Sequence, residues 1–291
     1  MKSDYVILWE AHRGGGGCEV PESTPASFEY AWRLGGIPEA DVNMTRDHVA
    51  MSLHDGTLDR TAQALKPEWK GKHISELTGD EVRSVDIGGG VWPHQHVPSI
   101  PEILDRLRKD PAKEIIIDYK SAPLDKLAAL IHSRGVEKQV TLATTDEKVA
   151  AGFRYFAPEV RIKIWIGGSP EAIMTRFREM AKRNFGGFDQ IQLHLAFDAK
   201  KKPWPFSLSR EEIREALAAT KPAGVLLQLF AMDFDRDGLF ALLDLGVRSF
   251  AVDHPHKFTL FTAEYEAAKS WHEPVENSPQ IRNRPAPVAQ P

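Results

Sequence analysis

Glu114-Ile115-Ile116-Ile117-Asp118-Tyr119-Lys120 is a β-branched run that ends on a carboxylate and an ammonium. Its composition marks a buried strand. Working outward, the same kind of segment recurs at residues 139–144, 160–166, 190–195, 224–230 and 248–252, with amphipathic helical stretches at 124–133, 170–183, 210–219 and 237–245. Upstream, residues 5–11 read as a first strand and 24–34 as a helix, with Thr24 as cap, Pro25 at the first turn, Phe28, Ala31 and Trp32 on one face, and Gly35-Gly36 as its end. Residues 37–44 read as a second strand, with 49–54 as its extension or hairpin partner, and 100–108 as a short helix. Strands alternating with helices imply a parallel sheet. Eight strand candidates fit a closed (β/α)₈ barrel, an α/β fold whose rival is an open doubly wound sheet.

Residues 56–98, rich in Gly and Pro around Gly88-Gly89-Gly90, Pro93 and Pro98, read as an excursion inserted after the second strand. One domain is expected over 1–272. The tail 273–291 is rich in Pro, Asn and Gln and reads as disordered.

The formal charge is −4, from 37 basic and 41 acidic side chains. Such a chain has no general attraction for nucleic acid or anionic lipid, so an anionic ligand needs a local positive site. The single cysteine, Cys18, excludes an internal disulfide and reads as an inert thiol or a loop thiol near the site. No apolar run reaches the roughly 20 residues of a membrane span, and no signal peptide opens the sequence as given. The expected location is cytoplasmic, or periplasmic or secreted if a signal peptide has been removed. Oligomeric state is not legible.

In a parallel barrel the working side chains sit where strands end. That rule selects His12 and Arg13 after the first strand, Glu39 and Asp41 on the second, His54 on its extension, and Asp118 and Lys120 on the third. Glu39 and Asp41, two apart, face the same side. Two carboxylates aimed into a barrel mouth repel each other unless a cation joins them. Asp118 adds a third oxygen donor, and an all-oxygen set favours Mg²⁺ or Ca²⁺. Taken alone, a Glu-x-Asp pattern is commonplace. Two flanking histidines change its weight, because histidine can both take and give a proton near neutral pH. Arg13 and Lys120 supply the positive charge an anion such as a phosphodiester requires, unless they serve as rim partners for carboxylates. His194 and Gln228 lie near later strand ends and are expected to line the mouth.

His12-Arg13-Gly14, Pro21-Glu22-Ser23-Thr24, Phe28 and Ala31, Glu39-x-Asp41, His54-Asp55, Leu58-Asp59-Arg60-Thr61 and Asp118-x-Lys120, in this order, resemble the glycerophosphodiester phosphodiesterase family. Beyond Lys120 the likeness rests on Val252-Asp253-His254-Pro255. The resemblance implies a (β/α)₈ barrel with a small insertion after the second strand. It implies metal-dependent hydrolysis of a glycerophosphodiester to glycerol 3-phosphate and an alcohol. His12 and His54 would be catalytic, one as base and the other as acid; the reading leans to His12 as base, and the sequence leaves the reverse assignment open. Glu39, Asp41 and Asp118 would hold the cation, Arg13 and Lys120 would meet the phosphate, and Glu22 would support the site. The nucleophile is either water or the substrate's own neighbouring hydroxyl. Departures from the family pattern are Asp118 for the usual Glu, Ser23 for the usual Asn, the loop Gly14 to Cys18, and the stretch from Leu227 to Met232, where the family carries a Trp-Thr-x-Asn-like segment.

Three other functions compete. A lysophospholipase D or sphingomyelinase D-like enzyme would use Trp92, Trp165, Trp204 and Phe206 against a lipid tail. An amidohydrolase-type zinc hydrolase would use His94-Gln95-His96 with His194, Asp253 and His254. A barrel that has lost activity would bind a phosphate ligand only.

Overall fold

The protein is described here by a computed structural model covering residues 6–92 and 94–270. The expected tail from 273 onward lies outside the described residues, as does Tyr5, where the first strand was expected to begin.

The strands are β1 (Leu8–Ala11), β2 (Ile37–Met44), β3 (Ala50–Ser52), β4 (Ile115–Tyr119), β5 (Val140–Thr144), β6 (Arg161–Ile166), β7 (Gln190–Leu195), β8 (Leu226–Ala231) and β9 (Ser249–Val252). The helices are α1 (Pro25–Arg33), α2 (Gly79–Arg83), α3 (Ile100–Lys109), α4 (Leu124–His132), α5 (Glu147–Phe156), α6 (Pro170–Lys182), α7 (Arg210–Thr220), α8 (Arg236–Asp244) and α9 (Pro255–Ser270). Each strand of the order β1-β9-β8-β7-β6-β5-β4-β2 pairs in parallel with its neighbour, and β1 also pairs with β2. The sheet therefore closes on itself as a (β/α)₈ barrel, and the open-sheet alternative is excluded.

Strands β2 and β7 have the bounds read from the sequence, and the others differ by at most three residues at an end, with β1 starting at Leu8. Residues 49–54 form a hairpin partner rather than an extension, since β3 runs antiparallel to β2. Helix α1 forms as its sequence dictates. The Thr24 side chain accepts from the Ser27 amide, the Ser27 hydroxyl accepts from the Thr24 amide, and Phe28 and Ala31 are buried. Gly35, at φ +84°, supplies the left-handed turn that ends it.

The main apolar core lies between the outward faces of the strands and the helices. Residues 56–98 are not a loose loop. Leu58, Trp69, Ile74, Leu77, Val82 and Ile87 make a second small core with Met51 and Leu53. The barrel interior departs from the usual apolar layers. Lys163 and Glu10, at 1% and 3% exposure, form an ion pair of 2.6 Å. Gln192 Nε2 donates to Gln228 Oε1 (2.6 Å) and Glu10 (3.3 Å), and Gln228 Nε2 donates to the Phe250 carbonyl (3.1 Å). Buried polar groups are tolerable when bonded to one another, and this layer satisfies itself.

Candidate active site

A cavity of about 210 Å³ opens among the C-terminal ends of the strands. Its acidic side is fixed by register. Glu39 and Asp41 share one face of β2, and Asp41 is the direct neighbour of Asp118 on β4. All three are buried, and one oxygen of each lies within 4.8 Å of the others. The Arg13 amide donates to Glu39 Oε2 (2.8 Å), while Glu39 Oε1 and Asp41 Oδ2 are buried without a hydrogen bond. Such orphaned acceptors call for a partner the protein does not supply. Burial first, then the charges of Asp41, Asp118 and Glu10, push the Glu39 pKa well above the usual carboxylate range.

Lys120 supplies part of the countercharge. Its Nζ is 2.6 Å from Asp118 Oδ2 and 3.0 Å from Asp41 Oδ1. Burial works against its charge, but those two carboxylates outweigh it and hold the ammonium above its ordinary pKa. Asp118 Oδ1 accepts from Trp165 Nε1 at 3.0 Å, so the shorter acid is held from two directions. Three carboxylates against one ammonium leave two negative charges, which is what a divalent ion would neutralise. The oxygen-only donor set and the orphaned oxygens fit a hard cation.

His12 and His54 line the same cavity. Each is oriented by a carboxylate on Nδ1: Asp253 at 2.7 Å from His12, Asp55 at 2.8 Å from His54. Each Nε2 is left without a partner among the described residues. Gly16, at φ +62°, brings the first loop so close to Asp253 that an added Cβ would lie 2.8 Å from its side chain. The glycine run thus lets the loop close tightly around the His12 partner.

Glu22, Arg60 and Asp55 form a chain of charges behind His54. Arg60 holds both oxygens of Glu22 (2.7 and 2.8 Å), and its Nε donates to Asp55 Oδ2 at 2.6 Å. Arg13 Nη1 also contacts Glu22, at 3.2 Å. The Arg60 hydrogen bond, opposed by burial and aided by His54, brings the Asp55 carboxyl down to about 2. Burial raises Glu22, but Arg60 and Arg13 outweigh it and the net shift is downward. Glu22 therefore supports Arg13 and, through Arg60, His54.

The opposite wall is built from Trp165, His194, Phe230 and Met232. Gln228 was expected at the mouth, but it lies beneath the cavity, because its amide is spent within the polar layer of the barrel. Trp204 and Phe206, suggested as lipid contacts, pack on each other, and the Trp204 indole donates to the Leu208 carbonyl. His94 and His96 lie on the excursion, His96 Nε2 is 3.2 Å from Glu102, and among the described residues neither histidine joins a cluster of three metal-ligating groups. Cys18 is exposed on the first loop.

Sequence reasoning gave no role to Asp55 or Arg60, and placed Asp253 and Trp165 only in the rival readings, as part of a zinc site and as a lipid contact, not beside His12 and Asp118 where they lie. Asp55 and Arg60 stood within recognised motifs and Asp253 followed the last strand, which is a usable signal. Trp165 carried none, since nothing local announces a bond to a residue 47 positions away.

Comparison with known proteins agrees with this geometry. The profile of the Glycerophosphoryl diester phosphodiesterase family matches residues 12–231. A Bacillus subtilis glycerophosphodiester phosphodiesterase is 25% identical over 271 residues, which cover 87% of this chain and 85% of that protein. One from Caldanaerobacter subterraneus is 29% identical over 231 residues, 74% of this chain and 91% of that protein. The structure of an Oleispira antarctica phosphodiesterase in complex with the product sn-glycerol-3-phosphate superimposes with a TM-score of 0.63 at 18% identity, covering 89% of this chain and 98% of that one. A profile match spanning most of the barrel, with all five of Glu39, Asp41, Asp118, His12 and His54 inside it, places this chain in the glycerophosphoryl diester phosphodiesterase family.

Proposed function

We propose that this protein hydrolyses a glycerophosphodiester to glycerol 3-phosphate and an alcohol, using His12 as base, His54 as acid and a divalent cation, Mg²⁺ or Ca²⁺, held by Glu39, Asp41 and Asp118. The observation that carries the reading is the pairing, in one cavity, of a three-carboxylate cluster with two imidazoles that each have Nδ1 tied to a carboxylate. The bound cation supplies electrostatic stabilisation of charge on a phosphate oxygen. Arg13 and Lys120 add fixed positive charge beside it.

The carboxylate partners support the division of labour between the imidazoles. Asp253 contacts no cation other than His12 among the described residues, so its whole charge supports a proton taken up there. Asp55 instead divides its charge between His54 and Arg60, which suits a ring that must hand a proton to the leaving alkoxide rather than keep one. The nucleophile deprotonated by His12 is either water or a neighbouring hydroxyl of the substrate.

A cavity of about 210 Å³ suits a small headgroup better than a lipid tail, being below the roughly 300–1,000 Å³ of pockets for larger ligands. The decisive experiment is a panel of glycerophosphodiesters and lysolipids assayed with Mg²⁺, Ca²⁺ and EDTA. Glycerophosphodiesters should be turned over faster than lysolipids. EDTA should abolish turnover, and added cation should restore it. Full turnover in EDTA would refute the metal role.

Arg60→Met tests the supporting charge chain. It leaves Asp55 without its cation and Glu22 without its main partner, and should lower kcat about tenfold, the scale of one lost charge-assisted hydrogen bond. Cation affinity, read by calorimetry, should stay unchanged, because Arg60 touches none of Glu39, Asp41 or Asp118. A matching loss of cation affinity would show that the chain of charges serves the acidic cluster instead.

A further inference from the structure

The wall opposite the acids carries an imidazole, that of His194, whose nitrogens no group among the described residues uses. His194 lies flat against Trp165, with centroids 4.9 Å apart and planes 7° apart, and edge-on to Phe230 at 5.0 Å and 87°. Neither of its nitrogens makes a hydrogen bond among the described residues, although the ring is half-buried in the cavity wall. Gly167 leaves the room beside it, since a Cβ there would lie 3.0 Å from Nδ1. The nearby side-chain amides, on Gln192 and Gln228, bond within the barrel.

We propose that His194 is the specificity-determining residue of this enzyme, reading the hydroxyl groups of the substrate's glycerol moiety through its unspent ring nitrogens. The inference rests on the hydrolase reading above and adds to it the group that tells glycerol from other alcohols.

The chemistry is complementary. Burial first, then the charges of His12 and Lys163, bring the His194 pKa down to about 4, so the ring is neutral at neutral pH. A neutral imidazole offers one donor and one acceptor, and two adjacent hydroxyls each offer both. The stacking on Trp165 fixes the ring before substrate arrives, so little rotamer freedom is lost on binding. Trp165 is itself anchored to Asp118 by its indole N–H, which ties this wall to the acidic cluster. The apolar faces of Phe230 and Met232 leave the glycerol hydroxyls few other partners on this side. A site built around a substrate hydroxyl discriminates strongly against an analogue lacking it, because its own polar group is then stranded.

The test compares competitive inhibition by sn-glycerol 3-phosphate and n-propyl phosphate, which differ only in the hydroxyls. The full chain, His194→Phe and His194→Gln are measured with cation present. The wild type should bind glycerol 3-phosphate on the order of 10- to 100-fold more tightly than propyl phosphate, the range expected for stranding a buried polar group. His194→Phe keeps the ring contacts and should erase that ratio by weakening glycerol 3-phosphate alone. His194→Gln keeps a donor and an acceptor and should restore part of it. An unchanged ratio in His194→Phe, or equal weakening of both ligands, overturns the inference. If the wild type still turns over glycerophosphodiesters in that case, the hydrolase reading stands. If the wild type binds neither phosphate and turns over no diester, both fall together.

Discussion

Replacing His12 by alanine should lower kcat for a glycerophosphodiester by about 10²- to 10⁴-fold, the range for losing a positioned general acid or base. Replacing His54 should cost a similar factor. The expectation follows from geometry: both rings line the cavity that holds the acidic cluster, and both are oriented at Nδ1 by a carboxylate. The two variants should separate on the leaving group. An acid matters less when the alcohol leaves easily, so His54→Ala should recover much of its rate on a p-nitrophenyl phosphodiester, whereas His12→Ala should not. Asp253→Asn provides the control for orientation, since it keeps the size of the His12 partner and removes its charge. It should lower kcat by about 10- to 100-fold with little change in KM. Undiminished turnover by His54→Ala on a poor leaving group would remove that residue from the mechanism. Recovery of both variants on the activated diester would remove the division of labour.

The parts of this site that were legible in the sequence are those fixed by short-range geometry. The two-residue spacing of Glu39 and Asp41 on one strand sets both on one face, and Lys120, one residue past the end of β4, reaches back to Asp118 on that strand. Strand-end placement brought His12 and His54 into the same list. The alternation of strands and helices pointed to a parallel sheet of eight strands, but it is the pairing of β1 with β2 that closes the barrel, and several strand ends were overrun because the apolar runs extend past the residues that actually pair. What stayed hidden depends on distant contacts. The Trp165 bond to Asp118, the Asp253 bond to His12 and the Glu10–Lys163 pair join residues 47, 241 and 153 positions apart. Gln228 was misplaced because a position near a strand end does not say whether a side chain reaches the mouth or folds into the layer below. Here the amide of Gln192 claims it.

Glu39→Gln should all but abolish hydrolysis and yet stabilise the protein in chelator. Glu39 is 3% exposed, accepts one hydrogen bond from the Arg13 amide and leaves its second oxygen bare beside Asp41 and Asp118. Without a cation, its charged form is opposed by burial and by neighbouring negative charge. Glutamine keeps the shape and an acceptor for the Arg13 amide while removing the charge. Replacing a poorly compensated buried charge by a neutral group of similar volume often stabilises by about 1–4 kcal/mol, so Tm in EDTA should rise by a few degrees. The pH dependence has a definite sign. An acid whose pKa is raised on folding binds more protons folded than unfolded, so the wild-type stability in EDTA should fall as pH climbs from the ordinary value of 4.5 toward the raised one. The glutamine variant should lack that fall. Added cation should raise the wild-type Tm by mass action and should barely move that of the variant. The same charge that costs stability is then the one that binds the ion. A lower Tm for the variant in EDTA, together with an intact rise on adding cation, would show that Glu39 is neither strained by its neighbours nor part of the cation site.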